Sequence, residues 1–282
     1  MRNDPLRLAG ATAFFTTFAL PPILFILMQA MSLFFDPSKI GKRLFSQLSE
    51  IIGQETTRQI IDVMIAIRKL AMNPLITIGG FVFLLFVATT LFKVIKSSLN
   101  QVWKIRVKQK QKFVAIMRSR LEGLLVILFA GMLFLIGLMG DATQAVLGKY
   151  IGRLFPTAAF YFSGIFQYIV SIAIVTAWFA LVFHFLPDGR TSWKNKIIGA
   201  FFTSILFNIG KLILRWALSY SSINNIYGAS ASIVLLLLFV FYTSMIVYCG
   251  AAFTKVWASH TKDPIRPLPH AVQYELRETD IN

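Results

Sequence analysis

The chain is 282 residues long, 56% hydrophobic and only 14% charged. An ordinary water-soluble domain is about a quarter charged, so one aqueous core cannot hide this much apolar side chain and lipid must meet it. The net charge of +16 fits either a nucleic-acid binder or a membrane protein with basic loops, and the placement of the charge has to decide.

The first apolar run extends from Leu8 to Phe35. A signal-peptide core is about 7–15 residues, so this run reads as a membrane anchor. Pro21 and Pro22 interrupt it. Two adjacent prolines remove two backbone donors, which predicts a kink or a short unwound segment acting as a hinge, with Thr12, Thr16 and Thr17 placed to satisfy freed carbonyls. From Asp36 to Pro74, isoleucines and methionine (Ile51, Ile52, Ile60, Ile61, Met64, Ile65) alternate with Glu50, Glu55, Arg58, Asp62 and Arg68. That pattern predicts one or two amphipathic helices at the membrane surface, partly re-entrant, and no spanning segment.

The second predicted span is Leu75 to Phe92 and the third Leu121 to Met139. Between them lie Lys93, Lys96, Lys104, Arg106, Lys108, Lys110, Lys112, Arg118 and Arg120, with no acid. A short amphipathic connection, Asp141 to Thr157, leads to the fourth span, Ala158 to Leu186. Pro187-Asp188-Gly189-Arg190 has the composition of a tight turn. The fifth span is Ile197 to Leu218. Ser219 to Gly228 is a polar break, and the sixth span is Ala229 to Trp257. The remainder, through Asn282, carries three prolines and mixed charge and reads as a soluble tail. The expected architecture is therefore all-α, with six transmembrane helices and amphipathic helices on the outer side. Residues 1–258 form one transmembrane domain and residues 259–282 a cytoplasmic C-terminal tail.

Orientation follows from the loops. The second loop holds nine basic residues and no acid, and the fourth holds Arg190, Lys194 and Lys196. The third has only Lys149 and Arg153. Placing loops two and four inside satisfies the positive-inside rule and puts both termini in the cytoplasm. The first loop, with six basic and four acidic residues, departs mildly from the rule. The excess charge is thus mostly topological and favours anionic lipid over nucleic acid as a partner.

Chemistry needs paired acids, a metal cage or an activated nucleophile. The histidines are His184, His260 and His270, the one cysteine is Cys249, and no HExxH, P-loop, GxGxxG or GxSxG occurs. No acid sits near the middle of a predicted span. The expectation is no catalytic centre, no metal and no cofactor. The strongest binding signal is on the fifth span, where Asn208, Lys211 and Arg215 share one helical face that Ser204 extends by a turn. A cation inside a membrane helix costs about 2.5–3.5 kcal/mol at the centre, so it is usually turned toward a cavity. Two cations on one face point to an anionic partner, and snorkelling to the outer interface is the competing explanation. Gln167 is a further polar residue inside a span, either joining this site or bonding between helices.

Several short motifs resemble the YihY/virulence factor BrkB family of bacterial inner-membrane proteins, across nearly the whole chain. Leu8-Ala9-Gly10-Ala11-Thr12-Ala13-Phe14-Phe15 before Leu20-Pro21-Pro22 is similar to the family's first span. Leu99-Asn100-Gln101-Val102-Trp103 is similar to its Leu-Asn pair before an aromatic residue. Phe185-Leu186-Pro187, Trp193 and Gly199-Ala200 also fit, as do Tyr227-Gly228-Ala229-Ser230-Ala231 and Gly250-Ala251-Ala252-Phe253-Thr254. The family usually has Glu where this chain has Ala252. The resemblance implies a multi-pass inner-membrane protein with links to envelope lipid handling and serum resistance. The ribonuclease label that members once carried agrees poorly with the residues here. The expected function is transport or flipping of a lipid or another amphipathic anion. A non-transporting envelope scaffold is the alternative, and a nuclease comes last.

Overall fold

The computed structural model of the chain describes residues 4–31, 37–70, 74–108, 156–219 and 231–275, with isolated helical positions between 121 and 136. It is built from helices α1 (Pro5–Met31), α2 (Pro37–Ile52), α3 (Gln54–Leu70), α4 (Pro74–Val102), α5 (Pro156–Phe185), α6 (Trp193–Ser219) and α7 (Ala231–His260). Four short strands accompany them: β1 (Ile105–Val107), β2 (Gly189–Arg190), β3 (Arg266–Pro267) and β4 (Ala271–Gln273).

Four described helical stretches are long and apolar enough to cross a membrane: Pro5–Phe25, Tyr168–Phe185, Trp193–Ile213 and Ile233–His260. They match the first, fourth, fifth and sixth predicted spans. The second predicted span lies within α4, which is not among the four. Most of the third, Leu121 to Met139, lies outside the described residues. Among the described residues, four helices can therefore span by length and composition. The outer face of the bundle carries the exposed side chains Phe14, Phe18, Val82, Phe83, Ile169, Leu212, Ile213 and Val256, a surface suited to hydrocarbon.

Helix α1 begins at a local start signal. Asp4 accepts from the Arg7 amide (3.4 Å), and Pro5 occupies the first turn, where no donor is lost. The helix then runs unbroken through Pro21 and Pro22, which corrects the expected unwound segment. The threonine hydroxyls do not reach the carbonyls that the prolines free. Thr12, Thr16 and Thr17 donate instead to Leu8, Thr12 and Ala13, one turn back along their own helix. Both prolines are buried, and the packing around them keeps the segment helical.

Helices α2 and α3 are separated by Gly53, whose φ of 87° is one that side-chain-bearing residues rarely adopt. They pack on each other and on α1. Ile60 and Met64 point into an apolar cluster with Leu24, Leu27, Leu44, Leu236 and Val240, while Glu55, Arg58 and Asp62 stay exposed. This is the predicted amphipathic pair.

A second cluster forms at the opposite end of the bundle. Leu8 and Ala9 of α1 meet Leu99 and Val102 of α4, Trp103 just after it, Phe179 and Phe183 of α5, Ala200 of α6, and Tyr248, Ala251 and Ala258 of α7. The Trp103 indole donates to the Ala251 carbonyl (2.9 Å), and Thr12 and Tyr248 share a hydroxyl–hydroxyl bond. Helix α6 packs between α5 and α7. The α6–α7 contact depends on small residues used reciprocally. A Cβ on Gly199 would sit 1.9 Å from Thr254 Oγ1, and one on Gly250 would sit 1.9 Å from Thr203 Oγ1. Each threonine hydroxyl returns to the carbonyl of the glycine on its own helix, Thr203 to Gly199 (2.6 Å) and Thr254 to Gly250 (2.7 Å). Both hydroxyls are thereby satisfied within the α6–α7 contact. Further along, Gly210 makes room for Tyr242, whose hydroxyl donates to the Leu206 carbonyl (3.0 Å).

Candidate functional site

Of the residues singled out on the fifth predicted span, the structure describes three in full, Ser204, Asn208 and Lys211, all on α6. Asn208 is half-buried and donates to the Ser204 carbonyl (2.9 Å) one turn earlier. Ser204 in turn bonds the Ile172 carbonyl of α5 (3.2 Å). Lys211 is half-buried, and its ammonium lies 5.7 Å from the centre of the Phe207 ring. The side chains of Arg215 and Gln167 lie outside the described residues. Asn208 and Lys211 therefore share one face, beside the exposed apolar residues Ile209, Leu212 and Ile213.

Among the described residues, the densest polar constellation lies elsewhere, at the end of the bundle where α4, α5 and α7 finish and α6 begins. Asp188 is its hub and is 2% exposed. Its Oδ1 lies 2.9 Å from the Lys96 ammonium and 2.9 Å from His270 Nε2, and its Oδ2 accepts from the Asn100 amide (2.8 Å). The Asn100 carbonyl oxygen accepts the Asp188 backbone N–H (2.8 Å), so the two residues bind reciprocally. Burial pushes the Asp188 carboxyl pKa up. The hydrogen bonds from Lys96 and His270, the Lys96 charge and the Asn100 amide outweigh that and leave it below its ordinary value of 3.8. Asp188 is thus an ionised carboxylate whose oxygens are occupied by donors from α4 and the tail.

The adjoining turn is equally specified. A Cβ on Gly189 would lie 2.4 Å from Ile105 Cδ1 and 2.8 Å from Ile265 Cγ2, so the turn can pass under these side chains only as glycine. Arg190 donates to the His184 carbonyl. The His184 ring stacks on Trp193 at 4.4 Å, and its Nδ1 lies 2.9 Å from the buried Lys196 ammonium. At the start of α6, Asp263 of the tail accepts from the Ser192 backbone N–H (3.1 Å) and the Asn195 amide (3.2 Å). A carboxylate at a helix N-terminus is held by the unsatisfied amides and the helix dipole. Hydrogen bonds from Ser192 and Thr191 keep the Asp263 pKa below its ordinary value.

The tail closes this junction. β4 pairs antiparallel with β1, matching Ile105 to Gln273, Arg106 to Val272 and Val107 to Ala271. β3 pairs with β2, matching Gly189 to Pro267 and Arg190 to Arg266. Ile265 and Ala271 are buried in the same cluster as Trp103. At least residues 263–274 of the expected soluble tail are thus folded against loops two and four. In the sequence alone, Asp188 is a turn residue, Lys96 a loop cation and His270 part of a tail. One signal was available: Asp188 is the only acid between Asp141 and Asp263. An isolated acid among so many cations is a natural hub. Chemically the junction can hold charge and fix loop geometry. Among the described residues no group of three or more His, Cys, Asp or Glu could hold a metal ion.

Long apolar helices, an apolar outer surface and a polar junction at one end define an integral helical membrane protein. The whole-chain comparison makes this specific: the family model for virulence factor BrkB matches residues 1–275, and the chain belongs to that family. It is similar to a UPF0761 membrane protein of Teredinibacter turnerae, 27% identical over 270 residues, covering 90% of this chain and 57% of that protein. Similar proteins also occur in Actinobacillus pleuropneumoniae, 25% identical over 264 residues (90% and 88% covered), and Vibrio vulnificus, 25% identical over 280 residues (96% and 85%). The chain spans under three-fifths of the first two relatives it matches, 57% and 58% of their lengths. No solved structure matches.

Proposed function

We propose that this protein is a six-span inner-membrane protein, with both termini in the cytoplasm, that moves a lipid or another amphipathic anion across the bilayer. One observation carries the proposal. Lys211 places a half-buried ammonium on α6, on the same face as Asn208 and next to lipid-suited side chains. A cation in that position attracts a phosphate or carboxylate headgroup while the neighbouring apolar surface takes the chains. The nine-cation second loop supports the orientation, drawing the polar end toward an anionic cytoplasmic leaflet. With α1 continuous through Pro21 and Pro22, no unwound segment there adds support.

The test is reconstitution of the purified chain into vesicles containing fluorescent anionic phospholipid, followed by measurement of transbilayer movement. Lys211→Met should insert at least as well as wild type and move the lipid more slowly, and Lys211→Arg should retain part of the rate. Equal rates for wild type and Lys211→Met exclude the site. A second function, a scaffold that organises lipid without transporting it, is favoured by the close Gly199–Thr254 and Gly250–Thr203 packing, which resists separation of α6 from α7. It predicts wild-type movement no faster than in protein-free vesicles.

A further inference from the structure

We propose that residues 263–274 form a strap that clamps the ends of α4, α5 and α6 together, and that these ends loosen only when the strap opens. Besides the β2–β3 pairing, the strap is attached in four places. Asp263 holds the start of α6 through the Ser192 N–H and the Asn195 amide. The Leu268 N–H donates to the Asp188 carbonyl (2.9 Å) just after α5. His270 reaches the Asp188 carboxylate, which Lys96 and Asn100 also hold from α4. β4 then runs along β1, flanked by the Lys108 N–H to the His270 carbonyl (3.0 Å) and the Tyr274 N–H to the Lys104 carbonyl (3.0 Å).

Three features make these attachments a clamp instead of a passive tail. They join segments far apart in sequence: His270 is 82 residues from Asp188, and Asp188 is 88 from Asn100. One of them, His270, shares a single buried carboxylate with Lys96 and Asn100 of α4, so losing that donor weakens the hold of the others on Asp188. Most are polar or backbone bonds at the rim of the bundle, with Ile265 and Ala271 the only strap residues in the buried cluster. Regions held by rim hydrogen bonds and few apolar contacts open locally, at less cost than the helices beneath them. His270 is the accessible member, with its side chain 45% exposed against 3% for Asp188. Release therefore begins at His270.

Hydrogen–deuterium exchange on the full-length protein in lipid nanodiscs tests this. In His270→Ala, amides of residues 264–274 should exchange faster by about tenfold or more, the effect of losing one charge-assisted bond. Residues 100–108 and 186–192 should accelerate with them, while α2 and α3 stay unchanged. His270→Gln keeps a donor and should recover much of the protection, which guards against a merely misfolded alanine variant. Faster exchange confined to the tail would overturn the clamp, and so would no change in any segment. A second arm rests on the proposed transport function. In a Cys249→Ala background, Arg106→Cys with Val272→Cys places a disulfide across the β1–β4 pair. Oxidation should slow lipid movement, and reduction should restore it. Unchanged movement in the oxidised form overturns the requirement for release. If wild type moves no lipid, the transport proposal fails, and the exchange data still decide the clamp.

Discussion

Replacing Asp188 by Asn perturbs the polar junction while changing almost no volume. The substitution removes the charge that offsets Lys96 and puts an amide in place of an oxygen that accepts from Lys96 and His270 or from Asn100. Asp188 is 3% exposed at its side chain and Lys96 only 18%, so water makes up little of the loss. Removing one member of such a pair typically costs about 3–5 kcal/mol. Because Lys96 sits at the bundle's end and can turn partly to solvent, roughly 3 kcal/mol is the better figure here. For a chain of this size, that corresponds to a fall of roughly 6–12 °C in melting temperature. Thermal unfolding in detergent, followed by tryptophan fluorescence, would measure it. Adding Lys96→Met removes the stranded charge and should recover part of the loss. The wild type should also show a matching pH dependence. The folded pKa of Asp188 lies below 3.8, so its stabilising contribution is complete above the ordinary carboxylate value and fades as pH falls through the lower folded value. An Asp188→Asn variant that melts within about 1–2 °C of wild type, less than 1 kcal/mol, would show that the hub holds nothing together.

Gly210→Ala would place a Cβ 0.8 Å from the Tyr242 hydroxyl, so Tyr242 must leave the Leu206 carbonyl. The expected loss is about 1–3 kcal/mol, read as a lower melting temperature. Gly199→Ala should destabilise similarly, and adding Thr254→Ala should rescue it only in part, because the Thr254 Cβ would still lie 2.9 Å away. In a Cys249→Ala background, a cysteine at Gln109 should react with a membrane-impermeant maleimide only in inverted vesicles; labelling in intact cells reverses the proposed orientation. Purified protein should cleave RNA no faster than a mock preparation, with or without divalent metal. Cleavage that co-purifies and disappears on a point change in this chain would establish the opposite.

The parts of the fold set by local patterning were legible in the sequence. Apolar run length located four helices that can span, and mixed polarity located α2 and α3. Their separation is fixed by one backbone conformation at Gly53. What escaped the sequence depends on distant pairing. The tail looks like solvent-exposed chain because it is secured by backbone pairing with β1 and β2, and its composition does not show that. Asp188 becomes a hub only when Asn100 and His270 arrive from more than 80 residues away on either side. At Pro21 and Pro22 the sequence offered a kink or an unwound segment, and the continuous α1 removes the second: proline removes a donor locally, but whether a helix unwinds is settled by what packs on it. On α6, Asn208 and Lys211 lie on one face as their spacing requires, while the Asn208 amide is engaged by the Ser204 carbonyl of its own helix.

The central proposal is that α6 receives an anionic amphiphile at Lys211. The most direct measurement is photo-crosslinking of the reconstituted chain with a phosphatidylglycerol analogue that carries the reactive group near its phosphate, followed by peptide mapping. Adducts should concentrate on α6 between Ser204 and Ile213 and fall sharply in Lys211→Met. Adducts spread over the apolar outer surface, unchanged by that substitution, would contradict the proposal.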